Sequence, residues 1–175
     1  MRYVAAILAF LFLAVPLNAQ KDKREPLSGA QIDQIAALGS DPDARVELYT
    51  KILDEHATVI KGLTNRARSA ARAQRLDGEL QDLTALMDEV GSNLDLYSDR
   101  HADIRKALRN LSETAPHWLR ILRALPGESG FDLARKEAIE SGEELADQAA
   151  RLLTEETDYF KVHKDESGQD RALPK

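Results

Sequence analysis

The sequence predicts an all-α protein: an antiparallel bundle of three long helices with coiled-coil-like packing, closed by two short capping helices. Two apolar stripes carry most of that prediction. Val46, Tyr49, Leu53, His56, Ile60, Leu63, Ala67 and Ala70 keep a three-then-four spacing, and so do Leu80, Leu83, Met87, Val90, Leu94, Tyr97, His101, Ile104, Leu108 and Leu111. Such spacing holds one side of a helix against a partner helix. The third observation is charge. Lys61, Arg66, Arg68, Arg72 and Arg75 stand just before Glu79, Asp82, Asp88 and Glu89, while Asp41, Asp43 and Glu47 stand far from Arg100, Arg105 and Lys106. A turn at residues 75–78 brings opposite blocks together, as antiparallel helices prefer.

The chain opens on a segment set apart from this core. Arg2 precedes 13 uncharged, mostly apolar residues, 3–15, then Pro16 and Leu17-Asn18-Ala19. This order reads as a secretory signal peptide, residues 1–19, cleaved after Ala19, and it predicts an exported protein, periplasmic or extracellular. The apolar run is short beside the roughly 20 residues a membrane span needs. Residues 20–27 are polar and read as a flexible leader.

A helical domain is expected over residues 28–163. Ser28 and Gln31 have the spacing of a capping box, opening a short helix with Ile32, Ile35 and Leu38 that stops at Gly39. Asp41 and Pro42 suit the cap and first turn of the first long helix, which is expected to run to about Gln74. The second long helix spans about 78–111 and stops ahead of Pro116, where a second short helix, 116–125, is expected to carry Trp118, Ile121, Leu122 and Leu125. Ser129 and Asp132 open the third, whose inward stripe includes Phe131, Ala138, Gly142, Leu145, Ala149, Leu152 and Tyr159. Its other face is acidic, with Glu137, Glu140, Glu143, Glu144, Asp147, Glu155, Glu156 and Asp158. Residues 164–175 are polar and read as a disordered tail.

Composition narrows the function classes. With 175 residues and 43% hydrophobic residues, one domain with a real core is expected. Loss of residues 1–19 removes only Arg2 and leaves a net charge of −7, which disfavours a nucleic-acid partner. No cysteine is present, so disulfides, thiolate metal sites and cysteine nucleophiles are excluded. The chain holds no G-x-x-x-x-G-K-[ST] loop, H-E-x-x-H pair or G-x-S-x-G setting. No cofactor and no catalysis are expected.

Two groups of residues remain as candidates. A turn at 75–78 places His56 opposite Tyr97 and one helical turn, about 5.4 Å, from His101. These three could hold a metal, a haem or a small ligand, since imidazole is a good transition-metal ligand, or they could form a polar core layer. The same register puts His163 at the far end. Trp118, with Arg120 and Arg123, looks like either a partner-docking segment or a core cap, with the acidic face of the third helix as a second contact surface. The leading expectation is an exported, non-catalytic bundle acting by protein–protein interaction with another envelope protein or with itself. Membrane-surface contact is a lesser possibility. A ligand- or metal-binding bundle using His56 and His101 is the alternative.

Overall fold

In the computed structural model, residues 25–168 are described, and residues 1–19, expected to be a signal peptide, residues 20–24 and residues 169–175 lie outside them. The described residues are all-helical, as expected: α1 Gly29–Ala37, α2 Pro42–Thr64, α3 Ala70–Asp99, α4 Arg105–Arg123 and α5 Asp132–Val162, followed by a 3₁₀ turn at Lys164–Glu166. No described helix is long and apolar enough to cross a membrane.

The first signals act as expected. Ser28 and Gln31 form a reciprocal capping box on α1, and Gly39 ends the segment at φ +57°, a left-handed geometry that suits glycine. Asp41 caps α2 by accepting from the Ala44 N–H at 3.0 Å, with Pro42 in the first turn.

The turns differ from the expectation. Helix α2 ends at Thr64, and α3 runs unbroken through Asp77 and Gly78, so the reversal lies at residues 65–69 instead of 75–78. Ser69 supplies the new start, accepting from the Arg72 N–H at 3.2 Å. Ala67 and Ala70, counted in the first stripe, are exposed. The second stripe is divided between two helices. The chain breaks at residues 100–104, where His101 adopts φ 52° and the Ala102 N–H closes onto Tyr97 O at 3.0 Å. Histidine is among the residues that tolerate this region. The anticipated stop at Pro116 is absent; Pro116 sits inside α4, so the second short helix is the latter half of a 19-residue helix. The count of three long helices and two short ones therefore gives way to one short helix and four longer ones.

These four form two hairpins lying side by side. Helix α2 packs on α3 and α4, and α5 packs on the same two. Tyr49 meets Glu89 and His56 meets Glu79, so α2 and α3 are antiparallel. Arg123 meets Glu143 and Arg105 lies over Phe160, so α4 and α5 are too. Across the hairpins the helices are parallel: Asp43 with Ala107 and Asp54 with Trp118 for α2 and α4, Asp88 with Ser141 and Ser98 with Glu156 for α3 and α5. Both hairpin turns share one pole, where Arg72 forks onto both Glu128 oxygens at 2.5 and 2.6 Å. The predicted charge attraction survives between different helices, Lys106 reaching Glu47 at 2.6 Å across the parallel α2–α4 seam.

The core fills the space between the hairpins with Leu53, Ile60, Leu80, Leu83, Leu94, Leu108, Leu111 and Trp118, all at most 1% exposed. Each such side chain stabilises the fold by about 1.5–3 kcal/mol relative to exposure. One helix start is completed from afar. Ile104 offers α4 no side-chain cap, and Asp43 of α2 accepts from the Ala107 N–H at 2.9 Å in its place. Burial raises the Asp43 carboxyl above its ordinary value, against the lowering effect of that bond.

Candidate functional site

The earlier reversal separates the histidines. His56 faces Glu79 on α3, its Nδ1 3.1 Å from Oε2, and His101 lies in the α3–α4 turn at the opposite pole. At 1.5 Å rise per residue, the stretch of α3 from Glu79 to Asp99 puts the two about 30 Å apart along the bundle. Tyr97 is buried near His101 with the Arg100 guanidinium 5.0 Å from its ring centre, so it does not approach His56. His163, expected far away, is the histidine that joins His101. The Tyr159 ring is stacked between them, 3.8 Å from His101 and 4.1 Å from His163 between ring centres. Among the described residues no group of three or more His, Asp or Glu is placed to hold a metal ion.

Around that stack lies a polar joint that sequence reasoning missed. Glu156, assigned to the acidic outer face of the third helix, is 2% exposed. Its Oε1 accepts from the Ser98 hydroxyl at 2.9 Å, whereas Oε2 is buried with no hydrogen-bond partner among the described residues. Burial pushes its carboxyl above the ordinary value, and Ser98, His101 and Arg105 only partly oppose that. Its position was legible, since Leu145, Ala149, Leu152, Glu156 and Phe160 continue one inward stripe. Beside it, Asp103 accepts from Arg105 Nε and Nη2 at 2.8 Å each, from the Ser167 hydroxyl at 3.0 Å and from the Gly168 N–H at 2.9 Å. The Arg105 bond leads the effects that hold Asp103 down at about 2. Residues 164–168, read as tail, are thereby fastened to the α3–α4 turn.

Of the three proposed contact residues, Trp118 is core. It is 1% exposed between α4 and α2, and its indole N–H donates to Asp54 Oδ1 at 3.1 Å. Arg123 is exposed and bound to Glu143 at 2.6 Å, and Arg120 is exposed.

The acidic face of the third helix, the second-choice surface, lines a groove of about 1110 Å³ between α3 and α5. Asp88, Asp95, Glu144 and Asp147 converge there above Met87, Gly91 and Leu145. Gly91 leaves room for Gln148, whose amide donates to Gly91 O at 3.0 Å and Asp95 Oδ1 at 2.7 Å, and Ser141 donates to Asp88 at 3.0 Å. Arg151 also lines the groove, but it is engaged by Glu155 at 3.1 Å. Leu96, 55% exposed, lies one helical turn beyond Ser92 on the same side of α3. The arrangement is an open trough with negative walls over buried Met87 and Leu145, suited to holding a basic chain. No family model matches the chain, and neither does any curated protein or solved structure.

Proposed function

We propose that this is an exported, non-catalytic helical protein that works by holding a partner protein, and that the α3–α5 groove receives a basic segment of that partner. The supporting observation is the groove itself: Asp88, Asp95, Glu144 and Asp147 line one trough of about 1110 Å³. Opposite charge at such a surface speeds encounter and selects the partner, while exposed Leu96 beside it supplies apolar area to bury. Export rests on the order of Arg2, residues 3–15 and Ala19 in the sequence.

Glu144 and Asp147 are exposed. Their replacement by lysine therefore alters the groove and spares the core. The experiment compares capture from envelope extract by the mature protein and by Glu144→Lys/Asp147→Lys, read by mass spectrometry. The expected partner is lost in the variant and at raised salt, with an unchanged melting temperature for the variant. Equal capture by both proteins would refute the groove as the binding surface.

A further inference from the structure

A second recess lies on the opposite side of the molecule, between the last turns of α2 and α4, with a volume of about 380 Å³. Its floor is apolar: Leu125 is 4% exposed and Ile121 packs half-buried against the core. Its ionisable lining residues are Lys61, His117 and Arg120, all basic in a chain of net charge −6. Some cations of this pole are occupied, although exposed Arg66 and Arg75, outside the recess, have no ion pair among the described residues. Arg68 and Arg72 reach Glu128, and Arg123 reaches Glu143, whereas Lys61, His117 and Arg120 have no ion pair among the described residues.

A bland account exists for part of this. Cations in the last turn of a helix complement its partial negative charge, and Lys61 and Arg120 both stand in such turns. That account covers Lys61 and Arg120 by position and leaves out His117, which stands before the last turn of α4. It gives no reason for three bases to ring an apolar floor. Size then limits the occupant, for the recess is about a third of the α3–α5 groove and spans roughly one turn of α2 and two of α4. A compact ligand fits it and a protein segment does not.

We infer that this recess binds a small amphipathic carboxylate, an unbranched aliphatic chain ending in one carboxylate, with the chain laid on Ile121 and Leu125 and the carboxylate at the Lys61–Arg120 rim. Charge-assisted hydrogen bonds would hold the head, and burial of methylenes would hold the chain. The site is independent of the α3–α5 groove and involves no reaction.

The test is a titration of the mature protein with decanoate below its micelle-forming concentration, followed by calorimetry and by the methyl resonances of Ile121 and Leu125. Decanol supplies the chain without the charge, and acetate the charge without the chain. Decanoate is expected to bind at submillimolar concentration and shift both methyl signals, with decanol and acetate each at least about tenfold weaker. Lys61→Gln/Arg120→Gln is expected to weaken decanoate by about tenfold or more. The inference fails if decanol or acetate equals decanoate, or if decanoate leaves the two methyl signals unmoved. It also fails if the double variant melts lower yet binds decanoate unchanged, because the cations then serve only the helix ends.

Discussion

The two hairpins meet along two parallel seams built on different principles. Between α2 and α4 the contact is made by bulk: Trp118 is buried and its N–H is spent on Asp54, while Asp43 closes the start of α4. Between α3 and α5 the outer edge is made by small and polar groups, Ser141 donating to Asp88 and Gln148 donating to Asp95 and to the Gly91 carbonyl beside open water. Removing bulk leaves a cavity that the surroundings cannot refill, whereas water can replace an exposed hydrogen bond. The first seam therefore carries stability, and the second is free to carry recognition.

The sharpest break of that comparison is Trp118→Ala. Truncation opens a void in the α2–α4 seam and leaves Asp54 without its indole donor, so we expect a loss of about 3–5 kcal/mol. Thermal unfolding followed by circular dichroism is then expected to shift down by on the order of 10 °C. A shift of only a degree or two would mean that the seam tolerates the loss and that the contrast between the seams is wrong.

Asp103→Asn comes next and probes the pole where the chain crosses between hairpins. It removes the charge that binds Arg105, Ser167 and Gly168, at a cost of about 1.5–3 kcal/mol for charged hydrogen bonds. Amide exchange at residues 164–168 is expected to quicken. The pH dependence has a definite sign. The folded-state value of about 2 lies below the ordinary 3.8, so the stabilisation is complete above the unfolded value and is lost as pH falls from about 4 through 2. Urea midpoints across that window should fall in the parent and stay flat, in this contribution, in the variant.

Glu156, at the same pole, has the opposite sign. Its carboxyl is raised above the ordinary 4.5, chiefly by burial, so the folded state binds the proton more tightly than the unfolded one. Its contribution to stability therefore grows as pH falls through the raised value and is lost as pH rises through it. Subtracting the pH profile of Glu156→Gln from that of the parent isolates this contribution. We expect the parent to gain relative to the variant on acidification from pH 7, with no such gain if Oε2 is well solvated.

Helix content was legible because apolar spacing reports it directly, and the Ser28, Asp41 and Gly39 boundaries were legible because each uses a local signal. The breaks were not. Leu94, Tyr97, Ile104 and Leu108 keep phase across the α3–α4 turn, because two helices sharing one core can resume the same stripe after a short detour. Ala67 and Ala70 misled in the other direction, since alanine is as much at home in a turn or on a surface as in a core. Ser69 was the available sign of the first reversal. Pro116 pointed to a stop because proline removes one N–H and crowds the carbonyl four residues back, but packing of Ala115, Trp118 and Leu122 against the core outweighs that cost. Site residues were lost with the register, for a turn ten residues early exchanges Tyr97 for Glu79 as the neighbour of His56. Glu156 was lost to its own type, since an acid on an inward stripe is normally read as surface.

Gly91→Ala asks the smallest question and bears most directly on the α3–α5 seam. A Cβ at this position would stand 2.9 Å from Gln148 Oε1, too close to keep both in place. The obstructing atom is the end of a flexible side chain, so Gln148 can swing outward and give up its bonds to Gly91 O and Asp95 for water. That loss costs about 0.5–1.5 kcal/mol at most, while alanine in a helix interior regains about 1 kcal/mol over glycine. The two nearly cancel, and the unfolding free energy from urea titration is expected to move by less than about 0.5 kcal/mol in either direction. A loss above about 2 kcal/mol would show that Gln148 is clamped and that this seam is as tightly built as its counterpart. A neutral result places Gly91 where the groove floor can be altered without a penalty in stability, the condition that a binding surface on this side of the molecule must satisfy.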